Sequence, residues 1–104
     1  MTNEEKYQLV LSYLNNLISN NKSVKYYESP SNSFFGIEEL KSDNKHIYIS
    51  LGVSIMTLSI LFEDGSQMKI GLFNNQKDEI KYLFNKLVEI SEENCIKYLK
   101  MNDK

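Results

Sequence analysis

The first apolar residues of the chain recur every three or four positions, which is the spacing of one face of an α-helix. Thr2 and Glu5 precede this stripe in the arrangement of a capping box, in which each side chain accepts a hydrogen bond from the other residue's backbone amide. Asn20 and Asn21 follow the stripe, and asparagine tolerates the left-handed conformation that ends many helices. We therefore predict a first helix over about residues 3–20. Its stripe consists of Tyr7, Val10, Leu11, Leu14, Leu17 and Ile18.

The middle of the chain alternates apolar and polar residues, as half-buried β-strands do. The apolar positions are odd up to Leu51 and even from Met56 onward, so the chain must turn between two strands. A two-residue loop at Gly52 and Val53 reconciles the two parities. It predicts that Ile49 pairs with Met56.

A second hairpin is centred on Glu63, Asp64 and Gly65. The strands on both sides of it are apolar at even positions, which requires a loop with an odd number of residues. We predict a three-residue loop with Gly65 in the left-handed conformation, so that Ile60 pairs with Met68. A two-residue Asp-Gly turn would instead split the apolar face.

Two further strands are predicted upstream of these hairpins. Phe35 and Ile37 alternate with a glycine and a glutamate, and Val24–Glu28 is another candidate strand. Residues 41–45 are polar and are predicted to form the loop that leads to the next strand.

A second helix is predicted after the last strand. Asn75 is its predicted N-cap, because asparagine accepts hydrogen bonds from the free amides of a first helical turn. An apolar stripe begins at Ile80 and resumes at Cys95 and Tyr98 at helical spacing. We predict that the helix bends or restarts around Ser91, or that its last part extends past the core.

These elements predict one α+β domain over residues 1–104, with an N-terminal helix, a four- to five-stranded antiparallel meander sheet and a C-terminal helix. We expect both helices on one sheet face, because only one face of the central strands is apolar. The other face carries Tyr48, Ser50, Thr57, Ser59, Lys69 and Gly71, with Ile55, Leu61 and Phe73 at its margins.

Composition and charge exclude several kinds of partner. The chain has 14 acidic residues and 12 basic ones, all of them lysine, for a formal net charge of −2. Arginine is the preferred residue for phosphate and base-edge contacts, so nucleic-acid binding is not expected. No apolar run approaches the roughly 18–20 residues that cross a bilayer, and no membrane contact is predicted. The acidic N-terminus and the lone Cys95 favour a cytoplasmic protein.

The residue types needed for catalysis or metal binding are scarce. His46 is the only histidine, and no motif places a nucleophile beside it, so we predict a solvated side chain. One histidine and one cysteine are too few for a zinc site, and the carboxylates lack the spacing of a calcium loop. We therefore predict no catalytic residue, no metal and no cofactor.

Aromatic and acidic residues in and around the two upstream strands form the candidate contact surface. Strand alternation directs Tyr26 and Phe35 toward the core, and Tyr27 and Phe34 away from it. Rigid aromatic side chains supply buried area in protein interfaces, and neighbouring acids select a basic partner. The predicted partner-binding residues are Tyr27, Glu28, Phe34, Glu38, Glu39, Asp43 and Tyr48.

A small, acidic, motif-free α+β domain of this composition resembles the inhibitor proteins of bacterial conflict, such as immunity proteins that neutralise a toxin domain. This resemblance is one of class and rests on no motif. It implies a non-enzymatic inhibitor that presents a tyrosine-bearing acidic surface to a basic toxin or effector domain.

Three alternatives stay open. One is a small secretion or phage chaperone that binds an extended partner segment and forms a homodimer through the sheet or the second helix. Another is a small-molecule-binding domain with a pocket between the sheet and a displaced helix. The third is an enzyme that relies on His46 and scattered carboxylates.

Overall fold

A computed structural model describes residues 1–22, 24–29, 31, 33–39, 47–90 and 96–98 of the chain. The predicted loop at 41–45, His46, Asp43, Ser91 and Cys95 lie outside the described residues. The elements are α1 (Asn3–Ser19), β1 (Val24–Glu28), β2 (Phe34–Glu39), β3 (Tyr48–Gly52), β4 (Thr57–Leu61), β5 (Gln67–Gly71), α2 (Asn74–Ile90) and β6 (Ile96–Tyr98).

The strands form one open sheet in the order β5-β4-β3-β2-β1-β6. Strands β1 to β5 pair with their sequence neighbours in antiparallel fashion, so the predicted meander between two helices is confirmed. The short strand β6 pairs with β1 in parallel. The predicted continuation of the second helix through Tyr98 is therefore wrong, because residues 96–98 join the sheet edge.

Both helices cover one face of the sheet and enclose the core with it, as the alternation predicted. Leu14 and Leu17 of α1 and Leu87 of α2 are fully buried against the inward rows of the strands. The helices also meet each other at Tyr7, whose hydroxyl donates to Glu79 Oε1 at 2.5 Å. Neither α1 nor α2 covers the opposite face of the sheet.

The two helix starts differ in how well the sequence predicted them. The capping box of α1 is present, since the Thr2 backbone amide donates to Glu5 Oε1 at 2.8 Å and the Glu5 amide donates to Thr2 Oγ1 at 3.1 Å. The predicted N-cap Asn75 of α2 is wrong, because this residue lies inside the helix. The Phe73 amide donates to Gln76 Oε1 at 2.9 Å, so glutamine satisfies the amide that precedes the first turn.

The turn between β3 and β4 differs from the predicted two-residue loop. The register pairs Ile49 with Ile60, and residues 53–56 form a four-residue connection. Met56 adopts the left-handed conformation with φ of 52°, whereas Gly52 stays in the strand. The predicted Ile49–Met56 pair is therefore wrong, although the even loop length keeps the apolar residues of both strands on one face.

The turn between β4 and β5 confirms its prediction. Ile60 pairs with Met68, and Gly65 has a φ of 88°. The Phe62 amide donates to the Ser66 carbonyl at 2.8 Å, which closes a three-residue loop. Glycine permits this φ without the steric cost that a Cβ atom would add.

Candidate functional site

The sheet face that points away from both helices is covered by neither of them. We call it the open face and define it by the outward residues of β1 to β5. Its three cross-strand rows consist of Lys25, Glu38, Tyr48, Leu61 and Gln67; of Tyr27, Gly36, Ser50, Ser59 and Lys69; and of Phe34, Gly52, Thr57 and Gly71.

Small residues occupy the centre of the open face. Gly36 pairs with Ser50, and Ser50 pairs with Ser59, so three small residues lie side by side as a strip across β2, β3 and β4. A partner can approach the sheet backbone closely at Ser50 and Ser59, because little side-chain volume stands in the way, whereas Gly36 is buried. Tyr27 bounds the strip on β1, and Lys69 bounds it on β5.

A tyrosine cluster formed by Tyr27, Gly36, Glu38 and Tyr48 lies at the β1 side of this strip. The rings of Tyr27 and Tyr48 meet edge to face, with centroids 5.6 Å apart and planes at 83°. The Tyr27 hydroxyl donates to Glu38 Oε1 at 3.0 Å. A Cβ atom at position 36 would lie 2.5 Å from Tyr48 Oη, so the Tyr48 ring rests on the glycine.

The hydroxyl group of Tyr48 is neutral over the physiological range. Burial, followed by the nearby charge of Glu38, raises the pKa of Tyr48 above its ordinary value. Tyr48 therefore stays protonated and keeps a donor for a partner. Because Tyr27 is already held by a hydrogen bond and a ring contact, little rotamer freedom remains for a partner to remove.

Exposed apolar side chains mark one end of the open face. Phe34 is 39% exposed, Ile55 is 64% exposed and Phe73 is 74% exposed. Ile55 folds over Gly52, since a Cβ atom there would lie 2.7 Å from Ile55 Cγ1 and 3.4 Å from Phe34 Cε1. Phe34 and Ile55 thus flank the same glycine.

Two loops hold this apolar end in place. The buried Ser29 Oγ accepts hydrogen bonds from the amides of Ser33, at 3.0 Å, and Phe34, at 3.1 Å. The Val53 amide donates to the Ser33 carbonyl at 2.9 Å, which ties the β1–β2 connection to the β3–β4 turn. Phe34 and Ile55 are therefore positioned by backbone hydrogen bonds and not by their own packing alone.

The structure divides the predicted partner-binding residues between the two sheet faces. Tyr27, Phe34, Glu38 and Tyr48 lie together on the open face, whereas Asp43 lies outside the described residues. The outward direction predicted for Tyr27 and Phe34 agrees with this placement.

Two of the predicted carboxylates lie on the helix face. Glu39 is buried there and accepts a hydrogen bond from the Tyr13 hydroxyl at 2.7 Å. Glu28 accepts one from the Tyr26 hydroxyl at 3.0 Å. The acids that are close in sequence therefore do not form one patch, and the described charges of the open face are Lys25, Glu38 and Lys69.

Sequence reasoning placed Ile55 at the margin of this surface and missed Gly36 as a part of it. The structure places Ile55 at the Phe34 end of the open face, where it covers Gly52. The role of Gly36 depends on its register opposite Ser50 and on the Tyr48 ring, which no local pattern reveals.

The described part of the chain offers neither a metal-binding group of side chains nor a membrane-spanning helix. Within residues 1–22, 24–29, 31, 33–39, 47–90 and 96–98, no three His, Cys, Asp or Glu side chains are grouped so that they could hold a metal ion. Neither described helix has the length and apolar character needed to cross a membrane. Comparisons with protein-family models, curated proteins and solved structures found no match.

Proposed function

We propose that this chain is a non-enzymatic, immunity-type inhibitor that neutralises a toxin or effector domain by covering its active site with the open face. The observation that carries the proposal is the ordered tyrosine cluster beside a strip of small residues, on a sheet face that neither helix covers. Tyrosines with few rotatable bonds are common anchors of protein interfaces.

The aromatic side chains are the expected source of affinity. Tyr27 and Tyr48 border the small-residue strip on one side, and Phe34 with Ile55 borders it at one end. A partner loop lying over Ser50 would contact both groups and bury them together. Such a central aromatic cluster is the arrangement in which truncation of one side chain costs the most.

Charge has a secondary part in this proposal. The net charge of −2 favours the approach of a basic partner over distances longer than a direct contact. The open face itself has mixed charge, with Glu38 between Lys25 and Lys69. We therefore assign orientation to Glu38 and contact energy to the aromatic rings.

The test uses two glycine variants on the same face. Gly36→Ala brings a Cβ atom to 2.5 Å from Tyr48 Oη, so the Tyr48 ring must leave its position and the tyrosine cluster is disturbed. Gly71→Ala is the matched control, because nothing lies within 4 Å of a Cβ atom there. The partner is first identified by capture from the native strain and is then purified for titration calorimetry.

We expect Gly36→Ala and Tyr27→Ala each to weaken partner binding by at least about tenfold, which corresponds to about 1.4 kcal/mol. Gly71→Ala should bind within about twofold of the wild type. The variants should rank in the same order when inhibition of the partner's activity is measured. Wild-type affinity in both Gly36→Ala and Tyr27→Ala, with circular dichroism showing intact folds, would contradict the proposal.

The outer edge of β5 favours a second candidate, a chaperone or adaptor that binds an extended segment. β5 ends the sheet, and among the described strands none pairs with its outer side. An extended peptide can add to such an edge through backbone hydrogen bonds. Hydrogen exchange of the complex separates the two functions, because a bound strand would protect amides of Gln67–Gly71, whereas Gly36→Ala would leave its affinity unchanged.

A further inference from the structure

The described residues do not close one end of the interface between α1 and the sheet. A cavity of about 270 Å³ lies there, with α1 on one side and β3, β4 and β5 on the other. Its walls are almost entirely apolar. The side chains that enclose it include Leu9, Val10, Ile47, Ile60, Phe62 and Met68.

The cavity arises because the inward rows of the sheet are unequally covered. At one end Leu51, Leu58 and Ile70 are buried to 1% exposure or less. At the other end Met68 and Phe62 are only partly buried, although they belong to the same apolar surface. Protein interiors are normally close-packed, so an apolar space of this size is available to a ligand.

The dimensions of the cavity set the size of that ligand. An apolar cavity of about 150 Å³ is enough to bind a benzene molecule. A volume of about 270 Å³ therefore accommodates an aliphatic chain of about eight to ten carbons. Met68 adds an unbranched, adaptable side chain to the wall, which suits a flexible chain better than a rigid ring.

Acidic side chains adjoin the mouth of the cavity on two sides. One shallow depression shares Met1 and Leu9 with the cavity and includes Glu4 and Glu5 of the first turn of α1. Another shares Phe62 and includes Glu63 and Asp64 of the β4–β5 turn. The two depressions together hold four carboxylates against one amino group, that of Met1, so a cationic group at the mouth would meet net negative potential.

The polar part of the cavity wall also lies near negative charge. Tyr13 lines the cavity, and its hydroxyl donates to Glu39. Burial, the Glu39 carboxylate and, last, the charge of Glu63 raise the pKa of Tyr13, so the Glu63 charge acts on this wall. A ligand carboxylate would meet these acids unfavourably.

We propose that this cavity is a binding site for a small amphipathic cation, an alkyl chain that ends in an amine. The chain enters between α1 and the sheet, and the ammonium group stays at the acidic mouth. This site is separate from the open face, since it lies on the helix side of the sheet. The proposal therefore does not depend on the proposed inhibitor function.

The test compares three probes with the same chain length and different head groups: decylamine, 1-decanol and decanoate. Each is titrated into the ¹⁵N-labelled protein below its micelle concentration, and amide shifts are followed. We expect saturable one-to-one binding of decylamine, with the largest shifts near Val10 and Met68. Decanol should bind several-fold more weakly, and decanoate at least about tenfold more weakly. Equal or tighter binding of decanol or decanoate, or the absence of saturation with decylamine, would overturn the proposal.

Cavity-filling variants locate the site. Leu9→Trp and Met68→Trp place a larger side chain at the wall, and each should weaken decylamine binding by at least about tenfold. Leu9 is 52% exposed, so its variant should fold even if Met68→Trp does not. Tyr82→Trp, on an exposed position of α2, is the control and should bind as the wild type does. Unchanged affinity in Leu9→Trp would refute the assignment.

A second copy of the chain is the competing occupant. Sedimentation of the wild type and of Leu9→Glu measures their oligomeric states and distinguishes a second copy from a small ligand. A wild-type dimer that Leu9→Glu converts to a monomer, together with no decylamine binding, would show that a protein surface covers the cavity and that the ligand proposal is wrong.

Discussion

Replacing Tyr13 by Phe removes one hydroxyl that joins α1 to the end of β2. In the wild type this hydroxyl donates to Glu39 Oε1 at 2.7 Å, and Glu39 is only 7% exposed. The Tyr13→Phe variant keeps the ring and its packing. It therefore isolates the contribution of one charge-assisted hydrogen bond to the free energy of unfolding.

The size of the effect follows from the setting of the bond. Hydrogen bonds to charged groups contribute about 1.5–3 kcal/mol, and the partial exposure of Tyr13 favours the lower end of that range. We expect the free energy of unfolding to fall by about 1.5 kcal/mol. For a domain of this length, that loss lowers Tm by about 6–9 °C.

The assay is urea denaturation followed by far-ultraviolet circular dichroism at pH 7, with a thermal scan as a second measure. Tyr82→Phe is the matched control, because Tyr82 is 61% exposed on α2, and its free energy of unfolding should change by less than about 0.5 kcal/mol. A double-mutant cycle with Glu39→Gln should give a coupling energy of about 1 kcal/mol between the two positions. A loss below about 0.5 kcal/mol in Tyr13→Phe would refute the assigned strength of the bond.

Two further predictions concern a loop and the response to alkali. Gly65→Ala should lower the free energy of unfolding by about 1–2 kcal/mol, because φ is 88° there, whereas Gly71→Ala should leave it equal or raise it slightly. Urea denaturation checks both, and equal effects would contradict the role of the left-handed turn. Burial and a carboxylate acceptor raise the pKa of both Tyr7 and Tyr13, so above about pH 10 an unfolded tyrosine loses its proton while the folded one keeps it. Stability that is complete below pH 10 should therefore fall as the pH rises, and Tyr13→Phe should lose about 1 kcal/mol less than the wild type between pH 9.5 and 11. Identical pH dependence of the two proteins would show that Tyr13 does not contribute.

Local patterns predicted those parts of the fold that depend on residues close in sequence. The capping box of α1 needs only Thr2 and Glu5 three positions apart, and the β4–β5 loop needs a glycine where φ is positive. The β3–β4 turn was missed because Met56, a residue that seldom takes the left-handed conformation, does so here. Gly52 was the expected turn residue, but the strand keeps it and Ile55 covers it.

The parts that depend on distant pairing could not be read in the same way. The apolar residues after Ile90 repeat at helical spacing, yet residues 96–98 pair with β1, and this edge is visible only in the assembled sheet. In the candidate site, too, some features follow from local sequence and others from the pairing of distant strands. Alternation predicted the outward direction of Tyr27 and Phe34, whereas the contact of the Tyr48 ring with Gly36 depends on the register of β2 against β3.

The pairing of β6 with β1 also has a consequence for the order in which the chain is made and folded. Strands β1 to β5 each pair with the strand made just before or after, but β6 must close a loop across nearly the whole described chain to reach β1. Such long-range closure is slow compared with the formation of neighbouring hairpins. During synthesis, the meander can therefore assemble while the outer edge of β1 is still unpaired. This edge becomes paired only after β6 has been synthesised.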